Sequence, residues 1–404
     1  MTQDKHGKTA PYAASVTVFL LTLVFFFNFL GRLTLAPFMV QLENEFNISH
    51  SQAGQLFLII SFGYGTALFL SGFVAGKLLH RGTVILSSGI MGITLILLYF
   101  TPSLAWLKIL LFFLGFTGGL YLPSGITIIT SVLSAKHWGK GLAVHEIAPN
   151  ASFVLAPAIA AAVEGLFTWR EVFLLIGIGS ILTAPAFARF GKGGNFPGRA
   201  PNPENILSML KTGKLWILAG LFTLGVSITF GSFSMLPLYL VTEHGLSKAW
   251  ANQLVSFSRI PCFFVALGAG ILIDRIGTKP TIVLALSTAG ILTLTMGILE
   301  NRLLQIAVIL QPLLAVTFFP AGFAGLSQIF DSDCRSLAVS LIIPLAFIFG
   351  TGFIPTGLGW FGDHGMFRLA FIIHGLIILS CMNLVFLISF NRANKKSPAH
   401  SRIE

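Results

Sequence analysis

The chain has 404 residues, of which 55% are hydrophobic and only 10% charged, against about 25% charged in an ordinary soluble domain. That balance, with 39 Phe and 42 Gly, excludes a soluble globular protein and fits apolar helices that pack through small residues and face lipid with large ones. The net charge of +11 does not imply a nucleic-acid partner, because the basic residues form no continuous face and recur in short gaps between apolar stretches.

A membrane-crossing helix needs about 20 apolar residues. Such runs are expected at 13–37, 52–75, 83–100, 104–133, 141–163 and 170–188, then at 215–240, 252–273, 280–299, 303–329, 336–360 and 367–390. The first follows the polar start Met1 to Lys8 and precedes no small-residue cleavage site, so it is expected to stay in the mature protein. Between the two sets, 189–214 carries Gly, Pro and basic residues and reads as a linker, with a short amphipathic piece at Pro203 to Leu210. The expected fold is an all-α membrane protein of twelve transmembrane helices, in two six-helix bundles (1–188 and 215–404) joined by that linker. Cys262, Cys334 and Cys381 are scattered singly, a pattern of neither a disulfide framework nor a zinc site. No cofactor or metal is expected. No phosphate-binding Gly-rich loop or nucleophile–base pair is present, so neither ATP hydrolysis nor other catalysis is expected.

Charge then sets an orientation. The termini and even-numbered connections hold eighteen of the 25 Lys and Arg, from Lys5 and Lys8 through Lys77, Arg81, Lys136, Lys140, Arg275 and Lys279 to Arg402. The opposite side holds Lys108, Arg170, Lys248, Arg302 and Arg368. The positive-inside rule places the first side, with both termini, in the cytoplasm.

The halves also repeat. Gly270 lies 198 positions after Gly72, and the same offset relates Ser49 to Ser247, Gln55 to Gln253, Pro157 to Pro355, Arg170 to Arg368, Phe173 to Phe371 and Gly177 to Gly375. A series at one spacing across several spans marks a parallel duplication. Two such halves with a cytoplasmic linker form a known transporter architecture, with its site near the membrane midplane between them.

The connection Gly270-Ile271-Leu272-Ile273-Asp274-Arg275-Ile276-Gly277-Thr278-Lys279 resembles the loop signature of the major facilitator superfamily. Gly72-Phe73-Val74-Ala75-Gly76-Lys77-Leu78-Leu79-His80-Arg81-Gly82 is a degraded copy, with Gly76 where the family usually has Asp. The resemblance covers nearly the whole chain. It implies a secondary transporter in which Gly72, Lys77, Arg81, Gly270, Asp274, Arg275 and Lys279 form a conformational latch across the cytoplasmic face. The bland alternative is topology-setting charge and tight-turn glycine. In the fifth span, alanine stands at the glycine places of the antiporter pattern (Ala156-Pro157-Ala158-Ile159-Ala160-Ala161). The fourth span lacks the arginine typical of drug antiporters. Both departures count against drug efflux.

Charges inside spans that break the repeat are the best site candidates. At the common offset Arg32 matches Phe230, Arg259 matches Ser61 and Glu146 matches Pro344. A mid-membrane ionic group costs about 2.5–3.5 kcal/mol on insertion scales, so each should face a cavity or a partner. Arg32 shares a helix face with Asn28. A guanidinium binds carboxylate or phosphate through paired hydrogen bonds, so Arg32, Arg259 and Asn28 are expected to bind an anionic solute. The alternatives are an arginine reaching outward to the interface, more so for Arg32, or a structural pair with a backbone carbonyl or with Glu146. Glu146 is expected to carry a coupling proton, with His145 as relay or pH sensor. The leading expectation is therefore a monomeric, proton-coupled transporter of a small organic anion in a bacterial inner membrane. An exporter of amphipathic or lipid-like compounds is the runner-up, and a non-transporting sensor stands behind both.

Overall fold

The computed structural model describes residues 11–198 and 202–390, and every element within them is helical. The basic terminal residues lie outside the described residues. The first half comprises α1 (Pro11–Leu33), α2 (Met39–Phe46), α3 (His50–Tyr99), α4 (Leu104–Val132), α5 (Trp138–His145), α6 (Ile147–Ala162) and α7 (Trp169–Phe190). A short helix, α8 (Pro203–Leu210), falls where the amphipathic piece was expected. The second half holds α9 (Gly213–Val226), α10 (Ser232–Thr242), α11 (Lys248–Ile276), α12 (Thr278–Met296), α13 (Asn301–Ala315), α14 (Phe318–Ile329), α15 (Ser332–Phe347), α16 (Ile354–Asp363) and α17 (Phe367–Cys381). Wider π-helical turns join α9 to α10 (Ser227–Gly231) and α15 to α16 (Ile348–Phe353).

Polar side chains at the starts satisfy backbone N–H groups that a helix cannot pair internally. Ser49 accepts from the Gln52 amide while Gln52 Oε1 accepts from the Ser49 amide, a capping box. Thr168 and Glu171 repeat the device on α7, and Ser247 caps α11 through the Trp250 amide.

Among the described residues ten helices are long and apolar enough to cross a membrane, and a pair bent by 56° (Lys248–Ala266 with Gly268–Ile276) makes an eleventh if taken as one span. The second and third expected runs are continuous in α3, whose 50 residues span about 75 Å at 1.5 Å per residue, over twice the ~30 Å hydrocarbon core. Twelve crossings follow if α3 is counted as two. It breaks at Leu79, with φ 62° and ψ 162°, a region costly for a non-glycine residue. The linker backbone supports the break. His80 N donates to Phe196 O, Arg81 N to Gly194 O, and Gly198 N to Ala75 O.

The repeat is visible in three dimensions. A Cβ on Gly177 would sit 2.9 Å from the Ile96 nitrogen, and one on Gly375 would sit 2.5 Å from the Leu294 nitrogen; Ile96 and Leu294 are themselves related by the common offset. Each glycine lets two helix backbones touch. Arg170 pairs with Glu45, and Arg368 pairs with Glu243 at 3.0 Å and Glu300 at 2.6 Å. Glu45 and Glu243 are again repeat mates, and sequence reasoning had singled out only the arginines.

The halves meet at the end opposite the basic connections, here called the outer end. The larger core cluster takes its second-half members from Phe233 to Val255, Met296 to Val308 and Leu358 to Phe371, all towards that end. Polar ties accompany them. Asp363 accepts from Ser49 Oγ (2.9 Å), His50 N (2.6 Å) and Ser51 N (3.1 Å) at the start of α3. Asn252 donates to Pro37 O and Ser256 to Val154 O. The outer end is closed.

Candidate functional site

Just below that seal, a cavity of about 40 Å³ lies between the halves, lined by Arg32, Ser61, Tyr64, Ser234 and Thr351 among five phenylalanines. Ligand clefts of ordinary size run to about 300–1,000 Å³, so in this conformation the cavity is small. Ser61 and Thr351 hydroxyls bond across it from opposite halves. The lining reflects the duplication: Arg32 and Phe230 are repeat mates, and both line the cavity.

Arg32 is buried, with its guanidinium carbon 4.5 Å from the Phe29 ring centroid and 4.6 Å from that of Tyr64. Its Nε donates a long 3.4 Å hydrogen bond to Asn28 O, and one terminal nitrogen has no partner. Asn28, buried one turn away, also leaves its side-chain oxygen unpaired. Arg259 is enclosed the same way, 4.5 Å from the Phe153 centroid and 5.0 Å from that of Phe233. It donates to Thr229 O at 3.0 Å, and its Nε is unpaired. Arg259 does not line the cavity; Phe233, on which it stacks, does. The two cations are thus joined through rings, Phe29 lying 6.4 Å and Phe233 5.0 Å from Phe153. Among the described residues neither guanidinium has a carboxylate within ion-pair distance. The alternative of an ion pair with Glu146 is not formed in this conformation.

Glu146 lies at the junction of α5 and α6 rather than inside a continuous fifth helix. Its side chain is 58% exposed, with Oε1 3.8 Å from Nδ1 of the fully buried His145. His145 stacks on Phe25 and meets the Tyr121 hydroxyl at 2.9 Å. The structure therefore keeps Glu146 with His145 and keeps both apart from the arginines.

The sequence profile described as Major Facilitator Superfamily matches residues 21–301 and 254–404. The chain belongs to that superfamily. It is 23% identical over 170 residues to the probable sulfoacetate transporter SauU of Cupriavidus necator, covering 42% of this chain and 40% of that one. It is 29% identical over 166 residues to the inner membrane metabolite transport protein YdjE of Escherichia coli, covering 41% and 35%. The chain thus spans less than half the length of these two relatives. A bacterial homologue of the lysosomal transporter Spinster, solved inward-facing and unoccupied, superposes with a TM-score of 0.79 at 14% identity, over 94% of this chain and 97% of that one. At that identity the likeness is one of fold. As a member of the superfamily the chain is a multi-pass membrane protein.

The superfamily's loop-signature residues make no bridge between the halves here. Arg81 caps the end of its own half's last span, donating to Gly191 O at 2.6 Å and Ala188 O at 2.7 Å, with Phe187 beneath it. Its repeat mate Lys279 does the same for the second half, donating to Ile388 O at 3.3 Å over Phe386. A cation at a helix C-terminus is favoured by the carbonyls left unpaired there. Gly72 lies beside the linker, its carbonyl close to Gly198. Lys77, Gly270, Asp274 and Arg275 are exposed. No latch contact across the basic face is formed among the described residues in this conformation, in which the halves meet at the other end.

Proposed function

We propose that this transporter moves a small organic anion, a carboxylate or sulfonate, by rocking its halves about the central cavity, and that protons drive it through Glu146 and His145. One observation carries the anion reading: two buried guanidinium groups, one from each half, have unpaired N–H groups and no carboxylate counter-ion. A buried cation without a partner is costly, and a small anion held by both would supply the missing charge and acceptors. The probable sulfoacetate transporter among the relatives agrees with such a cargo. The cavity's small volume fits an outer-closed conformation that opens to admit cargo. In this reading the basic face is cytoplasmic, α3 crosses twice to give twelve passes, residues 189–214 tether halves 1–188 and 215–404, and a monomer works in a bacterial inner membrane.

Five phenylalanines in the lining favour a second reading, export of amphipathic compounds. Counter-flow in proteoliposomes separates the two, using labelled sulfoacetate, small mono- and dicarboxylates and an amphipathic cation. Anion exchange is expected, falling about 10- to 100-fold in Arg32→Gln and Arg259→Gln, as for loss of one charge-assisted hydrogen bond, while folded protein remains in the membrane. Exchange untouched by both substitutions, or confined to the amphipathic cation, refutes the anion reading.

A further inference from the structure

We propose that His145 is where the transporter holds its proton, at a ring nitrogen that Tyr121 keeps free for it. The assignment rests on the proton-coupled reading above and adds to it an atom and a positioning residue. The Tyr121 hydroxyl lies 2.6 Å from Leu21 O and 2.9 Å from His145 Nε2. A carbonyl oxygen only accepts, so the one phenolic proton goes to Leu21, and Tyr121 meets the imidazole as an acceptor. Nε2 must then carry the hydrogen, which leaves Nδ1 of the neutral ring as a bare lone pair. Nδ1 is buried and has no hydrogen-bond partner. It faces Glu146 Oε1 at 3.8 Å, too far for a hydrogen bond and close enough for a small side-chain movement to make one.

An unpaired acceptor sealed in a membrane protein, facing a carboxyl group whose side chain is 58% exposed, is the receiving half of a proton relay. A proton arriving on Glu146 leaves its oxygen and bonds Nδ1, giving a carboxylate beside an imidazolium. Phe25 lies parallel to the imidazole at 4.2 Å, its plane inclined by 8°, and presents a π face to the cation. The groups facing His145 are few. α4 supplies Tyr121, α1 supplies Phe25 and the Leu21 carbonyl, and the histidine's own segment supplies Glu146. The bond to Leu21 also ties the relay to α1, which carries Asn28 and Arg32 about two to three turns further on.

The test uses the full chain, labelled with nitrogen-15 at histidine, in lipid nanodiscs, with the His145 signal identified by its loss in His145→Gln. The expected spectrum shows the Nε2–H tautomer in the neutral ring, with an imidazolium formed as the sample is carried through a falling range of pH. Tyr121→Phe keeps the ring and removes the acceptor, so the bias toward that tautomer should fall about fivefold. In proteoliposomes with labelled sulfoacetate, His145→Gln should lose acid-driven accumulation by about tenfold or more while counter-flow persists. An Nδ1–H tautomer in the wild type, or a ring neutral throughout that range, overturns the proposal. So does acid-driven accumulation that survives in His145→Gln but not in Glu146→Gln, a result that leaves proton coupling standing. Accumulation by the wild type that ignores pH removes the coupled reading, and the proposal with it.

Discussion

Asp363 gives a direct measure of what holds the outer end shut. Its carboxylate comes from the second half and takes three hydrogen bonds at the start of α3 in the first half, from Ser49 Oγ, His50 N and Ser51 N. In a state where the halves part at this end, those donors and that carboxylate return to water. Asp363 is exposed, so each bond is worth less than the 1.5–3 kcal/mol of a buried charge-assisted one, and the favourable charge at a helix N-terminus adds about 0.3–1 kcal/mol. A net of about 1–2 kcal/mol is reasonable, equal to a shift of roughly 5- to 30-fold between outer-closed and outer-open populations. The assay places a single cysteine at Ser61, which lines the cavity, in a chain with Cys262, Cys334 and Cys381 replaced, and follows its reaction with a membrane-impermeant thiol reagent from the outer side. Asp363→Ala should speed that reaction by the stated factor. An unchanged rate would refute the role of this contact as a lock on the outer end.

Other outcomes follow from the same coordinates. Gly375→Ala forces a Cβ against the Leu294 backbone and should cost about 1–3 kcal/mol, seen as a lower Tm in detergent. Glu300, outside the spans, has its carboxyl held below the usual carboxylate range by the hydrogen bond and charge of Arg368. Its contribution is therefore present at neutral pH and lost as pH falls below about 4; Glu300→Gln should flatten the acid limb of the Tm–pH curve, and an unaltered limb would contradict this. Phe153→Leu removes one wall of the Arg259 enclosure across the half interface and should lower KM for the anion by about 2- to 30-fold, the worth of a cation–π contact of roughly 0.5–2 kcal/mol. A KM left in place while Tm falls would make Phe153 a packing residue only.

The duplicated scaffold was readable from residues because its signals are local or periodic. Apolar runs mark the helices, Ser49 and Ser247 cap equivalent starts, and Gly177 and Gly375 hold equivalent close approaches. The mate that completes each outer ion pair, Glu45 or Glu243, stands at the common offset too, but each lies just beyond an apolar run, where nothing in the hydropathy marks it. The arginines were legible as charges misplaced in hydrocarbon. Their surroundings were not, since Phe153 reaches Arg259 from the opposite half, and no spacing along one helix encodes that. Nor does the loop signature say which end is shut: Arg81 and Lys279 have the same sequence whether they cap their own half or reach across.

On the anion reading proposed above, the aromatic enclosures explain how two guanidinium groups are held without a carboxylate of their own. A resident Asp or Glu would neutralise each guanidinium permanently and compete with the cargo at every cycle. The negative faces of Phe29 and Tyr64, and of Phe153 and Phe233, supply a weaker attraction, about 0.5–2 kcal/mol per contact. That is enough to hold the side chain in place and less than a charge-assisted pair with an arriving anion provides. Since Phe153 and Arg259 belong to opposite halves, their contact also exists only while those segments meet. On that reading the outer-closed state is stabilised by interactions that cargo and opening can both replace, which is what a carrier needs if none of its forms is to become a trap.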